Sequence, residues 1–283
     1  CSLPLTNFCT YCIVPYVRGK EHSRTPEKIK EDVLGLAADG YKEITLLGQN
    51  VNAYGKDLSE ETSFSSLLTD LNSIEGLARI RFTTSHPRDM GPDLIRALAE
   101  LDKVCEHLHL PVQAGSTRLL KRMNRGYTRE YYLDLVEQVR KAVPGISLTT
   151  DLIVGFPGET DQDFQDTLSL VKEVGFDSAF TFIYSPREGT PAARLPDQIP
   201  EELKKERIYE LIEVQNAISD AHMQRLVATQ QELLIEGRSK DGLIGRTRTN
   251  RQVHVEGPDH LVGSLVWAEI IEASTWSLHG RIR

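Results

Sequence analysis

Between residues 25 and 184, five short apolar runs alternate with five segments of helical period, and this rhythm restricts the fold more than any other property of the chain. Thr25 followed by Pro26 reads as a cap and first helical position, and Ile29, Val33, Leu34 and Leu36 follow at helical spacing until Gly40. EITLLG (43–48) is then an apolar run of buried-strand type. The pattern repeats as SSLLTDLNSI and RIRFTTS, DLIRALAEL and HLHLPV, YYLDLVEQVRKAV and ISLTTDLIVGF, and QDFQDTLSLVKEV and SAFTFIYS. Strands separated by helices pair in parallel, so this region predicts an α/β unit, either a barrel or an open wound sheet.

A proline-rich stretch, TPAARLPDQIP (190–200), predicts a linker, and a helix is expected from about Glu201 to Gln231 with Leu203, Ile208, Leu211, Ile212 and Ile218 on one face. The period then changes to short strands in QELLIEG, LIGRTRTNRQVHVEG, SLVWAEIIEAS and WSLHGRIR, the size of a small all-β barrel. The expected division is an α/β unit with a trailing helix over 1–220 and a β unit over 221–283.

Polar residues gather just after each predicted strand: Gln49, Asn50 and Asn52; Ser85 and His86; Gln113 and Ser116; Asp151 and the GFPGET turn; Ser185 and Arg187. Carboxyl ends of parallel strands are where α/β folds place their chemistry, so a site is expected on that face. In the tail, GRTRTNRQVH (245–254) carries Arg246, Arg248 and Arg251, with Arg246 and Arg248 expected on one strand face. Arginine forks fit phosphate oxygens, and Trp276 and His279 could stack on bases, a pattern that suits RNA as well as a solvated strand face.

Three of the four cysteines fall within CSLPLTNFCTYC, and Cys9 and Cys12 form a C-x-x-C pair. Such clustering, in a chain with too few cysteines for a disulfide scaffold, predicts a metal or redox site in a reducing cytoplasm. A C-x-x-C pair serves dithiol exchange, half a zinc site or part of an iron–sulfur site. Zinc would need a second pair, and Cys105 reads as an isolated, buried small residue. The net charge of −8 excludes simple coating of nucleic acid by a basic surface but leaves local basic patches open. No apolar run approaches the ~18 residues that cross a bilayer, so no membrane partner is expected.

NFCTYCIVPYVRG resembles the cluster loop of radical S-adenosylmethionine enzymes, specifically the methylthiotransferase family. The likeness continues through LLGQNVNAYG, RIRFTTSHPRDM, EHLHLPVQAGS, LKRMNRGYTR, LTTDLIVGFPGET, AFTFIYSPREGTPAA and GRTRTNR, strings similar to the MiaB-type branch. The resemblance implies a partial (β/α) barrel of radical SAM type followed by a TRAM barrel. It implies a 4Fe-4S cluster that binds S-adenosylmethionine and generates a 5′-deoxyadenosyl radical. The implied reaction is 2-methylthiolation of N6-isopentenyl-adenosine beside the anticodon. Its partners would be the tRNA anticodon stem-loop, a reducing electron-donor protein and a sulfur donor. Cys9 and Cys12 are implied as cluster ligands, and Tyr11, Gln49, Asn50, Ser85, Gln113 and Asp151 as cofactor or substrate contacts. Arg246, Arg248, Arg251 and Trp276 are implied as RNA contacts. A threonylcarbamoyl-adenosine tRNA substrate, a non-catalytic RNA-binding protein on the same scaffold, and a zinc or dithiol protein are the alternatives.

The chain departs from that pattern at its start. The family spacing, C-x-x-x-C-x-x-C, puts the first cluster cysteine at position 5, where Leu5 stands. Leucine cannot ligate iron, so either Cys1 substitutes or the opening residues are a truncation or a join. The family's N-terminal domain, with the auxiliary 4Fe-4S cluster expected only in the full-length protein, has no counterpart in the sequence.

Overall fold

The computed structural model describes residues 2–3, 9–18, 22–58, 62–83, 85–240 and 242–283. In chain order the elements are β1 (Ser2–Leu3), α1 (Val14–Arg18), β2 (His22–Ser23), α2 (Pro26–Ala38), β3 (Glu43–Leu46), α3 (Phe64–Asn72), β4 (Arg79–Phe82), α4 (Pro92–Glu100) and β5 (His107–His109). Then come α5 (Thr117–Arg122), α6 (Arg129–Ala142), β6 (Ser147–Val154), α7 (Asp161–Val174), β7 (Ser178–Ile183) and α8 (Glu201–Gln224). The chain ends with β8 (Gln230–Ser239), β9 (Gly242–Thr247), β10 (Gln252–Glu256), β11 (Leu265–Ala273) and β12 (Leu278–Ile282).

The α/β unit follows the expected alternation. β3 and β4 form one parallel ladder, and β5, β6 and β7 form another. A single bridge between Ile80 and Val104 joins the two, so the strand order is that of the chain. Leu67, Leu68, Leu71, Ile80, Leu108, Leu148, Leu152 and Val171 are buried in one core between sheet and helices. Helix starts carry their signals unevenly. Ser63 and Thr160 cap α3 and α7 through reciprocal boxes with Ser66 and Asp163, whereas the Thr25 hydroxyl makes no capping bond and α2 relies on Pro26. Ile29 and Val33 face inward, but Leu34 and Leu36 stay exposed, each rotated off that face.

Several elements are shorter than their hydrophobic pattern. β4 stops at Phe82 rather than running through RIRFTTS. HLHLPV keeps only three strand residues, because the regular pairing with β6 stops once Leu110 has donated to the Thr149 carbonyl. The Val112 amide turns to the Thr150 hydroxyl, and pairing returns at Gln113 and Leu152. α8 ends at Gln224, and its buried face is more polar than the leucine and isoleucine pattern suggests. Lys204, Arg207 and Gln215 are buried there, Arg207 paired with Glu159 and Asp161 and Gln215 donating to the Phe176 carbonyl. α5 has no counterpart among the predicted helices.

The β unit is a closed five-stranded barrel in the order β10-β12-β11-β8-β9, which leaves no free sheet edge. Leu233, Ile235, Leu243, Val253, Ile270 and Leu278 fill it, joined by Met223 from the end of α8. LIGRTRTNRQVHVEG forms two strands and a turn, with Thr247 accepting Asn250 and Thr247 donating to Arg251 through their backbones. Arg248 therefore lies in the turn beyond β9 and does not share a strand face with Arg246.

That turn docks under the amino ends of the parallel strands. Arg79, with 0% of its surface exposed, donates from Nη1 to the Arg246 carbonyl at 2.7 Å and from Nη2 to the Glu232 carbonyl at 3.0 Å and carboxylate at 2.8 Å. Arg81 donates to the carbonyls of Arg248 and Thr247 at 2.8 and 2.7 Å, and to Glu43 at 2.8 Å. In return Arg248 forks onto Glu106 at 2.8 Å and reaches the Asp102 and Val104 carbonyls, while Arg251 pairs with Asp177. Charged hydrogen bonds buried this completely are costly to break, because the partners left behind stay dry.

Two predictions follow from this packing. Both tryptophans, Trp267 and Trp276, belong to the β unit, so fluorescence reports that unit while far-ultraviolet dichroism reports the whole chain. In urea the two signals should coincide for the unaltered chain, and Arg79→Leu should separate them and cost about 3–5 kcal/mol. The second concerns acid. Burial lowers the pKa of both His86 and His107 to about 3, helped by Arg125 at the first and Arg81 at the second. A histidine depressed below its unfolded value of ~6.5 leaves stability intact above that pH and removes it as the pH falls toward the folded value. Unfolding free energies from urea titrations between pH 6.5 and 5 should therefore fall with a slope approaching ~2.7 kcal/mol per pH unit for the two groups, and His107→Gln should halve it.

Candidate functional site

The cysteine loop sits at the end of the α/β unit opposite the β barrel, where the loops leave the carboxyl ends of the strands. Three backbone contacts fix it: Thr10 N–H donates to the Met123 carbonyl, the Ala192 amide donates to the Thr10 carbonyl, and the Thr10 hydroxyl reaches the Arg122 carbonyl. Within the loop the Cys12 amide donates to the Cys9 carbonyl at 3.1 Å, closing a turn that carries both thiols. Cys9 is buried and Cys12 half-buried. Burial pushes the Cys12 thiol up from its ordinary value, so it needs a metal or a cation to become a thiolate.

A cation is at hand. Arg125 is buried and places Nη1 3.5 Å from Cys9 Sγ. Its Nε donates to the Tyr127 hydroxyl at 3.0 Å and its Nη2 to the Pro111 carbonyl at 2.8 Å. The Tyr127 hydroxyl in turn donates to the Val112 carbonyl. No carboxylate pairs with Arg125 among the described residues. An uncompensated buried guanidinium beside two thiols suits an anionic sulfur group, which is the physical argument for a metal–thiolate centre here. Among the described residues no three His, Cys, Asp or Glu side chains converge as a metal site, so the loop supplies two thiol ligands. Cys1 and Leu5 lie outside the described residues.

Tyr11 stacks edge-on against Phe156 of the GFPG turn at 6.3 Å, and burial drives its hydroxyl pKa well up. That turn requires glycine: Gly155 has φ of +71°, and a Cβ there would meet the Lys204 side chain. Ser85 and His86 are buried in the loop after β4, and the His86 ring meets Tyr127 edge-on at 5.7 Å. Ser85 Oγ and His86 Nε2 are buried without a hydrogen-bond partner among the described residues, as polar atoms awaiting a ligand would be. Gln113 is buried with φ of +77°, a conformation rare for a side chain with Cβ, held because it exchanges backbone bonds with Asp151 and Ile153.

The other expected contacts are placed differently. Asn50 is buried and donates from Nδ2 to Asp89 at 2.7 Å, a carboxylate that Lys56 also grips, so this atom pins two loops together. Gln49 is half-buried in the bend after β3. Asp151 lies within β6, its carboxylate 3.4 Å from His109 Nε2. Cys105 is buried and its thiol is pushed up to about 11 by burial, as an inert small residue would be. Arg125 and Tyr127 escape a reading of spacing, because nothing in LKRMNRGYTR says that this arginine turns inward.

The tail arginines fall at the opposite end. Arg246 bonds Glu236 and Asn250, and Arg248 and Arg251 hold the α/β unit. Arg246, Arg251 and Trp276 line one cavity of about 450 Å³ between the barrel floor and the β unit, whereas Arg248 does not line it. No helix among the described residues is long and apolar enough to cross a membrane.

Comparison with known proteins agrees with this geometry. Residues 6–171 match the Radical SAM superfamily and residues 224–282 match the TRAM domain. The tRNA-2-methylthio-N(6)-dimethylallyladenosine synthase of Moorella thermoacetica is 58% identical over 279 residues, 98% of this chain and 63% of the relative. Its counterpart in Carboxydothermus hydrogenoformans is 57% identical over 277 residues, 97% of this chain and 63% of the relative. The chain thus spans somewhat under two thirds of the length of these curated relatives. Among solved structures, coproporphyrinogen III oxidase from Escherichia coli shares the fold at a TM-score of 0.55 and 16% identity, over 93% of this chain and 64% of that one. A radical S-adenosylmethionine methyltransferase from Kitasatospora setae does so at 0.55 and 16%, over 67% and 37%. The chain belongs to the radical SAM superfamily and carries a TRAM domain behind its α/β unit.

Proposed function

We propose that this chain forms the cofactor-binding and RNA-contacting part of a tRNA methylthiotransferase acting on N6-isopentenyl-adenosine beside the anticodon. The observation that carries it is the turn that sets Cys9 and Cys12 against the unpaired charge of Arg125, in a chain whose relatives bear that activity in their names. Bound at this loop, a 4Fe-4S cluster would supply one-electron reductive cleavage of S-adenosylmethionine.

The protein's own residues contribute binding, orientation and exclusion of water. Cys9 and Cys12 would hold two irons, with Arg125 offering a charged hydrogen bond to sulfur and offsetting the negative charge gathered there. Tyr11 and Phe156 wall the loop with aromatic surface and keep water from it. Ser85 offers a buried hydroxyl, and Gln113 and Asp151 present polar groups from adjoining strands, to the cofactor or the adenosine. Gln49 and Asn50 would shape the neighbouring rim. Arg246, Arg251 and Trp276 would serve the RNA from the other end of the unit, while Arg248 holds the two units together. An electron donor and a sulfur donor complete the reading as partners.

The decisive residue is Leu5, where the family's third thiolate is expected. Anaerobic reconstitution with iron and sulfide tests it: fewer than ~3 irons removes the catalytic reading for the chain with Leu5, whereas Leu5→Cys should bind ~4 and Leu5→Cys with Cys9→Ser should fail. A Leu5→Cys chain that takes up zinc without acid-labile sulfide would overturn the reading. In the loaded Leu5→Cys chain, Arg125→Gln should move the cluster's midpoint potential to more negative values, read by spectroelectrochemical titration.

A further inference from the structure

The cavity between the barrel floor and the TRAM domain has a lining that the cysteine-loop chemistry does not use. Its walls come from inward-facing residues of β4 to β7 on one side and from the Arg246–Gln252 hairpin and Trp276 on the other. At about 450 Å³ it falls within the ~300–1,000 Å³ of small-ligand sites.

Three features define what would fit. Phe180 from β7 and Trp276 from the loop before β12 both line it, and they are 59% and 68% exposed. Large rings left this exposed in a concave, otherwise polar site offer π faces for stacking. Arg81, Arg246 and Arg251 line the cavity, each ion-paired in turn with Glu43, Glu236 and Asp177, so the cavity offers guanidinium N–H donors rather than a net positive charge. Arg81 is committed to the domain contact, and Arg246 and Arg251, which also bond Glu236 and Asp177, present their remaining N–H groups along the wall beside Trp276.

The floor is different in kind. His107 meets Thr149 at 3.3 Å and Asn250 at 3.4 Å, and Thr149 meets His109 at 3.0 Å. Burial keeps His107 neutral, so between Thr149 and Asn250 it offers a directional donor or acceptor without charge. A hydrogen-bonding floor, aromatic walls and a rim of guanidinium donors match the base, its π faces and the phosphate of a nucleotide. A lone phosphate would leave both rings and the floor unused.

We propose that this cavity binds one unpaired nucleotide, its base against Phe180 and Trp276 and its phosphate toward Arg246 and Arg251. The proposal rests on the RNA reading above and deepens it, by naming a nucleotide site at the end of the barrel away from the cysteine loop. Nucleotide chemistry has two sources, an RNA loop or a free mononucleotide, and the test separates them.

In a Trp267→Phe background Trp276 is the sole tryptophan and its fluorescence reports the cavity. This chain is titrated with a seven-nucleotide single-stranded RNA, with adenosine 5′-monophosphate and with inorganic phosphate, and binding of folded tRNA is followed separately by filter retention. The expected result is quenching by the RNA, with affinity lowered about tenfold by Phe180→Ala or Phe180→Leu and restored by Phe180→Tyr. Phe180 is exposed, so dichroism and thermal midpoint should be unchanged and any loss assigned to the site. Quenching by adenosine 5′-monophosphate but not RNA, with the same dependence on Phe180, supports the nucleotide site with a free nucleotide as its ligand. If tRNA is retained but Trp276 and Phe180 play no part, the cavity proposal is overturned and the RNA reading stands. If no nucleotide or RNA binds, both are overturned, and quenching by phosphate alone overturns the cavity proposal.

Discussion

The ladder between β5 and β6 breaks after Leu110, where the Val112 amide turns to the Thr150 hydroxyl, and the organisation of the cysteine end follows from that gap. The carbonyls of Leu110, Pro111 and Val112 must find donors elsewhere. Tyr132 bonds the first, Arg125 the second and Tyr127 the third. Satisfying buried carbonyls with a guanidinium imports a positive charge, and that charge comes to rest against Cys9. The cysteine loop is thus held near a cation that the backbone itself requires. Removing the arginine would leave both a carbonyl and a sulfur without their donor, so structure and chemistry cannot be varied separately at this position.

At the other end, arginine does the opposite work. Arg79 and Arg81 reach down into the TRAM barrel and Arg248 and Arg251 reach up, so the contact is interlocked in both directions. Most acceptors in this contact are main-chain carbonyls, which cannot change with sequence. The GRTRTNR string reads as an RNA stripe when viewed alone, yet two of its three arginines hold the domains together. Their N–H donors reach an outside ligand only through the cavity that Arg246 and Arg251 border. An eight-residue strand such as β6 spans ~26 Å, which is the scale separating the cysteine loop from this contact.

The alternation of helix and strand and the closed β unit were legible because each rests on local pattern, and the C-x-x-C spacing already set Cys9 and Cys12 in one turn. What escaped the pattern shares a cause, the need to satisfy polar groups whose partners lie far along the chain. Arg125 is found only once the ladder is known to break beside Pro111, 14 residues earlier. The polar stripe of α8 is invisible until Glu159 and the Phe176 carbonyl are seen to need Arg207 and Gln215. Arg248 looked like a strand residue because nothing local marks the turn after Thr247. Hydrophobic period reports where a segment is dry, and it carries no information about which charged groups are dry with it.

The two ladders of the α/β unit meet through a single bridge, Ile80 to Val104, close to the amino ends. Arg248 donates to the Val104 carbonyl and to that of Asp102, so the TRAM domain is fastened on the one seam where the sheet is least continuous. Above that point β4 and β5 are free of each other's hydrogen bonds among the described residues, and the wall between the loops carrying Ser85 and Gln113 is held by side chains alone. A load on the TRAM domain is therefore carried into both ladders at once, through Arg79 and Arg81 of β4, the Val104 carbonyl at the seam and Asp177 before β7.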